Sequence, residues 1–132
     1  MTYFLDTNII SYIIKGNSEI RTKTAKLIAN GHEVKIPVVA YYEAKRGLLA
    51  TGASTKLQKF LNFAQKLGLV NTTVETFDIA SNVYADLRKS GNIIEDSDIF
   101  IGSASIEHGA ILITNNEEHL SRIKDIRLEV WN

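Results

Sequence analysis

The 132-residue chain is long enough for one domain, and it can bury a hydrophobic core without disulfides or a structural metal. It has no cysteine, which excludes a disulfide framework and a cysteine zinc site, and its 45% apolar and 23% charged residues are typical of a soluble globular protein. No apolar run approaches the roughly 20 residues of a membrane span, and the start lacks a signal-peptide pattern, so we expect one cytoplasmic domain over residues 1–132.

The net charge is zero, but the charges are unevenly distributed along the chain. Residues 1–70 hold ten Lys and Arg against four Asp and Glu, whereas residues 71–132 hold five against eleven. A ligand with a phosphate backbone needs a basic face, and a cation site needs concentrated carboxylates. The asymmetry fits a protein that has both features. It equally fits chance, with the fold mixing the two halves.

In the first half of the chain, short apolar strands alternate with amphipathic helices that end at glycines. Pro37 opens one helix, where its missing N–H costs little, and Ser18 is a plausible N-cap of another. The predicted elements are a strand at Thr2–Leu5, helices at Ile9–Lys15 and Ser18–Ala29, a strand at Val34–Ile36, helices at Val38–Leu49 and Ser54–Leu67, and a strand at Leu69–Thr72.

The second half continues the alternation. The pattern predicts a helix at Asp78–Ser90, a largely uncharged helix from Asp96 to His108, a strand at Ile111–Thr114, a short helical turn, and a fifth strand at Leu128–Trp131. Short apolar strands alternating with helices indicate an α/β protein with a parallel sheet of four to five strands, covered on both faces. Ligands of such folds bind beyond the carboxyl ends of the strands.

Two polar clusters follow predicted strands at that edge of the sheet. Asp6, Thr7 and Asn8 follow the first strand, and Thr114 to Asn116 end and follow the fourth. Asp6 could serve a cation or could cap the next helix, since Asp is a common N-cap. The Thr-Asn-Asn segment offers hydroxyl and amide oxygens, but it also fits ordinary turn chemistry.

Asp96 and Asp98 precede a helix that carries no other charge until Glu107. Acidic residues at a helix N-terminus are favoured by capping and by the helix dipole. One Asp suffices as a cap, so the pair indicates a second task, and Asp98 is the better candidate for a metal ligand. Glu95 is interpreted as a solvated loop residue.

Glu43 lies on a predicted helix between small apolar neighbours. We expect a carboxylate in such surroundings to be partly buried, and a buried charge needs a partner. Taken alone, a surface ion pair with Lys45 or Arg46 explains Glu43 better than a catalytic role does.

Together these carboxylates could converge on Mg²⁺, which prefers oxygen ligands and keeps several of its waters. Such a site suits phosphodiester hydrolysis, because the metal polarises the scissile phosphate, stabilises the leaving oxygen and lowers the pKa of an attacking water. The spacing alone goes no further. The chain has no Gly-rich phosphate loop, serine nucleophile elbow or zinc-protease motif.

Four segments, in order over nearly the whole chain, resemble the PIN-domain toxins called VapC. They are MTYFLDTNIISYIIKG, VVAYYEAKRGL, EDSDIFIGSASIEHGAILITNN and IRLEVWN. No single segment is decisive, but the four together are highly specific. The resemblance implies a three-layer α/β/α sandwich and a Mg²⁺-dependent endoribonuclease, in which Mn²⁺ is a possible substitute.

The acidic positions of that family fall on Asp6, Glu43 and Asp98, and some relatives have a further carboxylate where Asp96 stands. The fourth acidic position of the wider PIN pattern falls on Asn116. This departure removes a negative charge and puts a stable second metal in doubt. Glu117 or Glu118 is not expected to compensate.

The resemblance also implies partners. These are a small VapB-like antitoxin that wraps the toxin, a second copy of the toxin in a homodimer, and an RNA substrate. Similar members cut tRNA in the anticodon loop, with initiator tRNA as the leading candidate. Basic residues of the first half are candidates for holding phosphates; they include Lys15, Arg21, Lys23, Lys45 and Arg46.

The resulting hypothesis has Asp6 and Asp98 binding Mg²⁺ directly and Glu43 binding it directly or through water. Asn116, with Thr114 behind it, would position a metal-bound water or a phosphate oxygen, and Thr7 and Asn8 would support the site. In-line attack would leave a 3′-hydroxyl and a 5′-phosphate.

Two alternatives belong to other classes. One is an RNA-binding or regulatory module with a weakened site, which the lost acid at position 116 makes conceivable. The other is a metal-dependent phosphatase, which would need an Asp-x-Asp pair after the first strand. Asn8 in the second place of that pair counts against it.

Overall fold

The computed structural model describes residues 1–132 and contains five strands and seven helices. In chain order they are β1 (Thr2–Leu5), α1 (Thr7–Ile14), α2 (Ser18–Ala29), β2 (Glu33–Pro37), α3 (Val38–Ala50), α4 (Ser54–Leu67), β3 (Leu69–Val70), α5 (Val74–Ser90), α6 (Asp96–Glu107), β4 (Ile111–Thr114), α7 (Glu117–Leu120) and β5 (Leu128–Val130).

All five strands are parallel and form one sheet in the order β3-β2-β1-β4-β5. The central strand β1 pairs with β2 through Tyr3 and Val34 and with β4 through Phe4 and Leu112. Its apolar sequence follows from this position, because a central strand of a parallel sheet is covered on both faces. The predicted parallel sheet of four to five strands is confirmed, and it has five strands.

The helices form two layers around the sheet. Helix α1 packs against α2, α3 and α4, whereas α5 packs against α6, and α6 packs against α7 and β4. Fully buried side chains from the sheet and from both groups of helices form one continuous core, including Leu5, Ile10, Phe60, Ile101 and Ile113. The expected three-layer α/β/α sandwich is confirmed. None of the helices combines the length and the apolarity needed to cross a bilayer.

The strand order reverses direction between β1 and β4. From β1 the chain builds β2 and β3 on one side, then crosses to build β4 and β5 on the other. The carboxyl ends of β1 and β4 therefore flank the topological switch point, where open α/β sheets form their ligand crevice. The two ends are held together by the Asp6 N–H, which donates to the carbonyl of Ile113 at 3.0 Å.

Several element boundaries differ from the prediction for local reasons. Asn17, not Ser18, caps α2, because its Oδ1 accepts the N–H of Ile20 at 3.0 Å. Helix α5 begins at Val74 rather than at Asp78, since Thr73 and Thr76 form a reciprocal capping box. Strand β3 ends at Val70, at the edge of the sheet.

Candidate active site

Asp6 lies at the end of β1 and is almost fully buried, with 3% of its surface exposed. Its carboxylate accepts hydrogen bonds from the Thr7 N–H at 2.8 Å, the Asn8 amide at 3.1 Å and the Thr114 hydroxyl at 2.7 Å. Burial raises the pKa of Asp6 above its ordinary value, and these three hydrogen bonds oppose the rise while the charge of Glu43 adds to it. Asp6 is also the N-cap of α1, so the capping interpretation is correct without excluding a second role.

Glu43 comes from α3, and Thr7 links it to the same place. The Thr7 hydroxyl donates to Glu43 Oε1 at 2.7 Å, and the Thr7 N–H donates to Asp6, so Thr7 contacts both carboxylates. Glu43 Oε2 lies 3.7 Å from Arg46 Nη2, and the Glu43 side chain is 17% exposed. The ion pair with Arg46 is therefore present, on the solvent side of Glu43. Lys45 instead lies 3.5 Å from the Tyr41 hydroxyl.

Asp98 enters the site from the first turn of α6. Burial, followed by the charges of Asp6, Glu43 and Glu95, raises the pKa of Asp98 to about 6, and His119 opposes the rise. The distance from His119 Nδ1 to Asp98 Oδ2 is 3.9 Å. Glu95 is exposed just before α6, as the sequence suggested, and its charge also acts on Asp98.

The three carboxylates act on one another as like charges. Each ionised group makes ionisation of the next less favourable, and a cation between them would relieve this repulsion. No three Asp, Glu or His side chains lie close enough together to form a ready-made cage for a metal. The donor set nevertheless fits Mg²⁺, because it consists of oxygens and this ion is commonly held by one or two carboxylates while it retains water.

The structure does not bring Asp96 to this cluster. Asp96 and Asp98 are two residues apart on one helix, so their side chains point roughly 200° apart. Asp96 instead lines a groove beside Phe77 and Tyr84 of α5. We therefore leave Asp96 out of the proposed metal-binding set.

Thr114 and Asn8 form a buried frame under the carboxylates. The Thr114 hydroxyl, which is fully buried, donates to Asp6 and accepts the N–H of Asn116 at 3.0 Å. Asn8 Oδ1 accepts the N–H of Asn115 at 3.0 Å, which joins α1 to the end of β4. The supporting role predicted for Thr114 thus falls mainly on Asp6, and not on the Asn116 side chain.

Asn116 caps α7. Its Oδ1 accepts the N–H of His119 at 3.4 Å, and its Nδ2 lies 3.3 Å from His119 Nδ1. The turn interpretation of this segment therefore describes the structure. His119 was missed because no other histidine stands at ligand spacing. The usable signal was its place three residues after Asn116, on the same face of a helical turn.

A family model described as "PIN domain" matches residues 3–126. The chain belongs to the PIN-domain family. Among curated proteins, Ribonuclease VapC2 of Rickettsia felis is 27% identical over 133 residues, covering 100% of this chain and 99% of the relative. Ribonuclease VapC1 of Haemophilus influenzae strain R2866 is 27% identical over 134 residues, covering 99% and 98%. These likenesses make the chain a PIN domain of the VapC type.

Solved structures show the same likeness in three dimensions. The VapBC2 complex of Rickettsia felis, bound to a promoter DNA fragment, contains a chain with a TM-score of 0.91 and 26% identity, and the coverage is 100% of both chains. DNA-bound VapBC of Salmonella typhimurium gives a TM-score of 0.90 at 22% identity, covering 100% of this chain and 99% of that one. At 22% identity, the likeness to the Salmonella typhimurium chain shows a shared fold and nothing more.

Proposed function

We propose that the protein is a Mg²⁺-dependent endoribonuclease, the toxin of a VapBC-type toxin–antitoxin module. The observation that carries the proposal is that Thr7 links Asp6 to Glu43 at the switch-point crevice, where the charges of both also act on Asp98 of α6. The relatives named Ribonuclease VapC, matched over almost their whole length, support the same activity.

In this proposal Asp6 and Asp98 would hold Mg²⁺ directly, and Glu43 would hold it directly or through water; Mn²⁺ is a possible substitute. The chemistry supplied by the bound ion is polarisation of the scissile phosphate and a lower pKa for the attacking water. Thr7, Asn8 and Thr114 hold the carboxylates in place through the hydrogen bonds described above. Asn116 caps α7 and so fixes the start of this helix beside the site.

Hydrolysis is proposed to leave a 3′-hydroxyl and a 5′-phosphate, with tRNA as the substrate and the initiator tRNA anticodon loop as the first site to examine. This choice comes from the resemblance to VapC toxins. Mapping the ends of RNA cleaved in cells that express the protein tests it. Ends confined to other RNA classes would exclude tRNA.

The proposed partners are a VapB-like antitoxin and a second copy of the chain in a cytoplasmic homodimer. Solved VapBC complexes with matching chains support the first. Helix α5 exposes the apolar side chains of Val74, at 78%, and Phe77, at 44%. Exposed apolar side chains of this kind support an interface with another protein chain. Sedimentation of the isolated chain only as a monomer would contradict the homodimer.

Neutralising the carboxylates tests the activity. Asp6→Asn, Glu43→Gln and Asp98→Asn should each lower the rate of RNA cleavage by about 100-fold or more, because each removes charge that holds the ion. Glu43→Gln keeps an acceptor for the Thr7 hydroxyl, so its fold should be least affected. Cleavage of a tRNA pool is measured by gel electrophoresis, and thermal unfolding is recorded for each variant.

Asp96→Asn is the matched control, since it removes the same charge from the opposite face of α6. It should cleave at the wild-type rate, and EDTA should stop cleavage until Mg²⁺ or Mn²⁺ is restored. Wild-type cleavage by Asp6→Asn would refute the mechanism. RNA that is bound by the wild type but never cut would favour the alternative of an RNA-binding regulatory module.

A further inference from the structure

A cleft opens beside the carboxylates, between α1, α3 and the start of α4. Its volume is about 530 Å³, and Thr7 and Glu43 form the end that it shares with the candidate active site. Apolar side chains of α1 and α3 cover its floor, among them Ile14, Ala44 and Leu48. A ligand in this cleft would therefore touch an apolar surface and Glu43 at the same time.

Gly47 helps to keep the cleft open. It lies in the interior of α3, where glycine is unfavourable compared with alanine, and its backbone is not left-handed. A Cβ at this position would meet no atom within 4 Å, so neither packing nor backbone conformation requires glycine here. The effect of having no side chain at position 47 is open space in the cleft that Gly47 lines.

Two lysines give the cleft a positive charge. Lys15, at the end of α1, and Lys56, in the first turn of α4, both line it and are both exposed. Neither forms an ion pair or a side-chain hydrogen bond within the chain, whereas Lys23 is paired with Glu19. Free ammonium groups next to an acidic centre suit a ligand whose phosphates continue beyond the reacting bond.

We propose that this cleft binds the unpaired nucleotide next to the scissile phosphodiester of an RNA strand. The base would lie on the apolar floor beside Gly47, and Lys15 and Lys56 would hold the flanking phosphates. The inference rests on the proposed nuclease function and adds a subsite to it. A polyanion is favoured over a protein segment because the two cations have no partners and the cleft is continuous with Glu43.

Binding of a fluorescein-labelled single-stranded RNA of about 15 nucleotides, measured by anisotropy in EDTA at several salt concentrations, tests the subsite. Lys15→Gln/Lys56→Gln should weaken binding about 10-fold and lower the salt slope by about 1.4, or 0.7 for each lost phosphate contact. Gly47→Leu should weaken binding about 10-fold and leave the slope unchanged, because it blocks the place of the base without removing a charge.

The matched controls are Lys89→Gln/Lys124→Gln and Ala85→Leu, at exposed positions that do not line the cleft. Both should bind RNA like the wild type, and all variants should melt within a few degrees of it. If Gly47→Leu and the double lysine variant are folded but bind RNA with wild-type affinity and slope, a protein segment or no ligand occupies the cleft, and the proposal is overturned. Cleavage by the wild type in Mg²⁺ is assayed separately, so failure of the nuclease function is distinguished from failure of the subsite.

Discussion

The repulsion between Asp98 and the other carboxylates of the site can be measured as a change in the stability of the protein. The pKa of Asp98 in the folded protein is about 6, raised from 3.8 first by burial and then by Asp6 and Glu43. A carboxyl with a raised folded pKa costs stability that begins near pH 4, where the unfolded chain ionises, grows up to about pH 6, where the folded group ionises, and is complete by pH 7. Ionised Asp98 therefore destabilises the metal-free protein at neutral pH.

Asp98→Asn should raise the free energy of unfolding of the metal-free protein at pH 7 by about 1–2 kcal/mol, less than the full pKa shift because water screens part of the side chain. Below pH 4 the variant and the wild type should unfold alike. Urea denaturation at a series of pH values in EDTA measures the difference. Excess Mg²⁺ should then stabilise the wild type more than the variant, and an equal gain in both would argue against Asp98 as a ligand.

The acidic residues could be predicted from the sequence, but their hydrogen-bond partners could not. The place of Asp6 directly after an apolar strand marks it as a candidate metal ligand. Glu43 is predicted as a site residue only through the resemblance to VapC toxins. The bond from Thr114 to Asp6 spans 108 residues, and no local pattern marks it. The sequence favoured Asp98 over Asp96 as a metal ligand, and the register of α6 separates the two side chains.

At the scale of elements, a carboxylate outside the active site fastens α5 to α6. Glu107, near the end of α6, accepts hydrogen bonds from the hydroxyls of Thr73 and Thr76 at the start of α5. Burial acts to raise the pKa of Glu107, but the hydrogen bonds from Thr76 and Thr73 and the charge of His108 outweigh it, so its pKa is lowered. This contact contributes stability above the ordinary Glu pKa and is lost as the pH falls.

Thr76→Val tests that contact with little change in side-chain shape. The substitution removes a donor to Glu107 and the acceptor for the Thr73 N–H, so the free energy of unfolding should fall by about 1–3 kcal/mol at pH 7. The loss should shrink as the pH is lowered from 7 to 3, because protonation of Glu107 weakens the hydrogen bonds that it accepts. Ser81→Ala, on the exposed side of α5, is the control and should change stability by less than about 0.5 kcal/mol. An equal loss at both pH values would show that the ionised carboxylate is not involved.

Helix ends were predicted well where a local signal marks them and poorly where the signal is shared between distant elements. Gly68 and Gly91 end α4 and α5 at positive φ, as glycines at helix ends commonly do. The start of α5 was missed because Thr73 and Thr76 carry no apolar periodicity, and their partner Glu107 lies more than 30 residues away. Periodicity finds a buried stripe, but a capping box needs no such stripe.

At the scale of the whole molecule, the strand order separates the strands of the basic first half from those of the acidic second half. The first half builds β1, β2 and β3, and the second half builds β4 and β5 on the other side of the switch point. The helices mix the two halves in part, since Lys23 of α2 lies 5.6 Å from the ring of Trp131, which follows β5. A neutral protein of this kind can still attract a polyanion from one side.

Electrostatic steering by the lysines of α4 should appear in the association rate. Lys59→Gln/Lys66→Gln, on α4, and Lys89→Gln/Lys124→Gln, in the second half, change the net charge by the same amount. We expect the α4 pair to slow association with labelled RNA several-fold at low salt, because those lysines line one groove together with Arg21, and to lose the effect at high salt. Stopped-flow fluorescence measures both rates in the Asp6→Asn background, where RNA is not consumed. Equal slowing by the two pairs would mean that net charge, and not its distribution in the fold, governs the encounter.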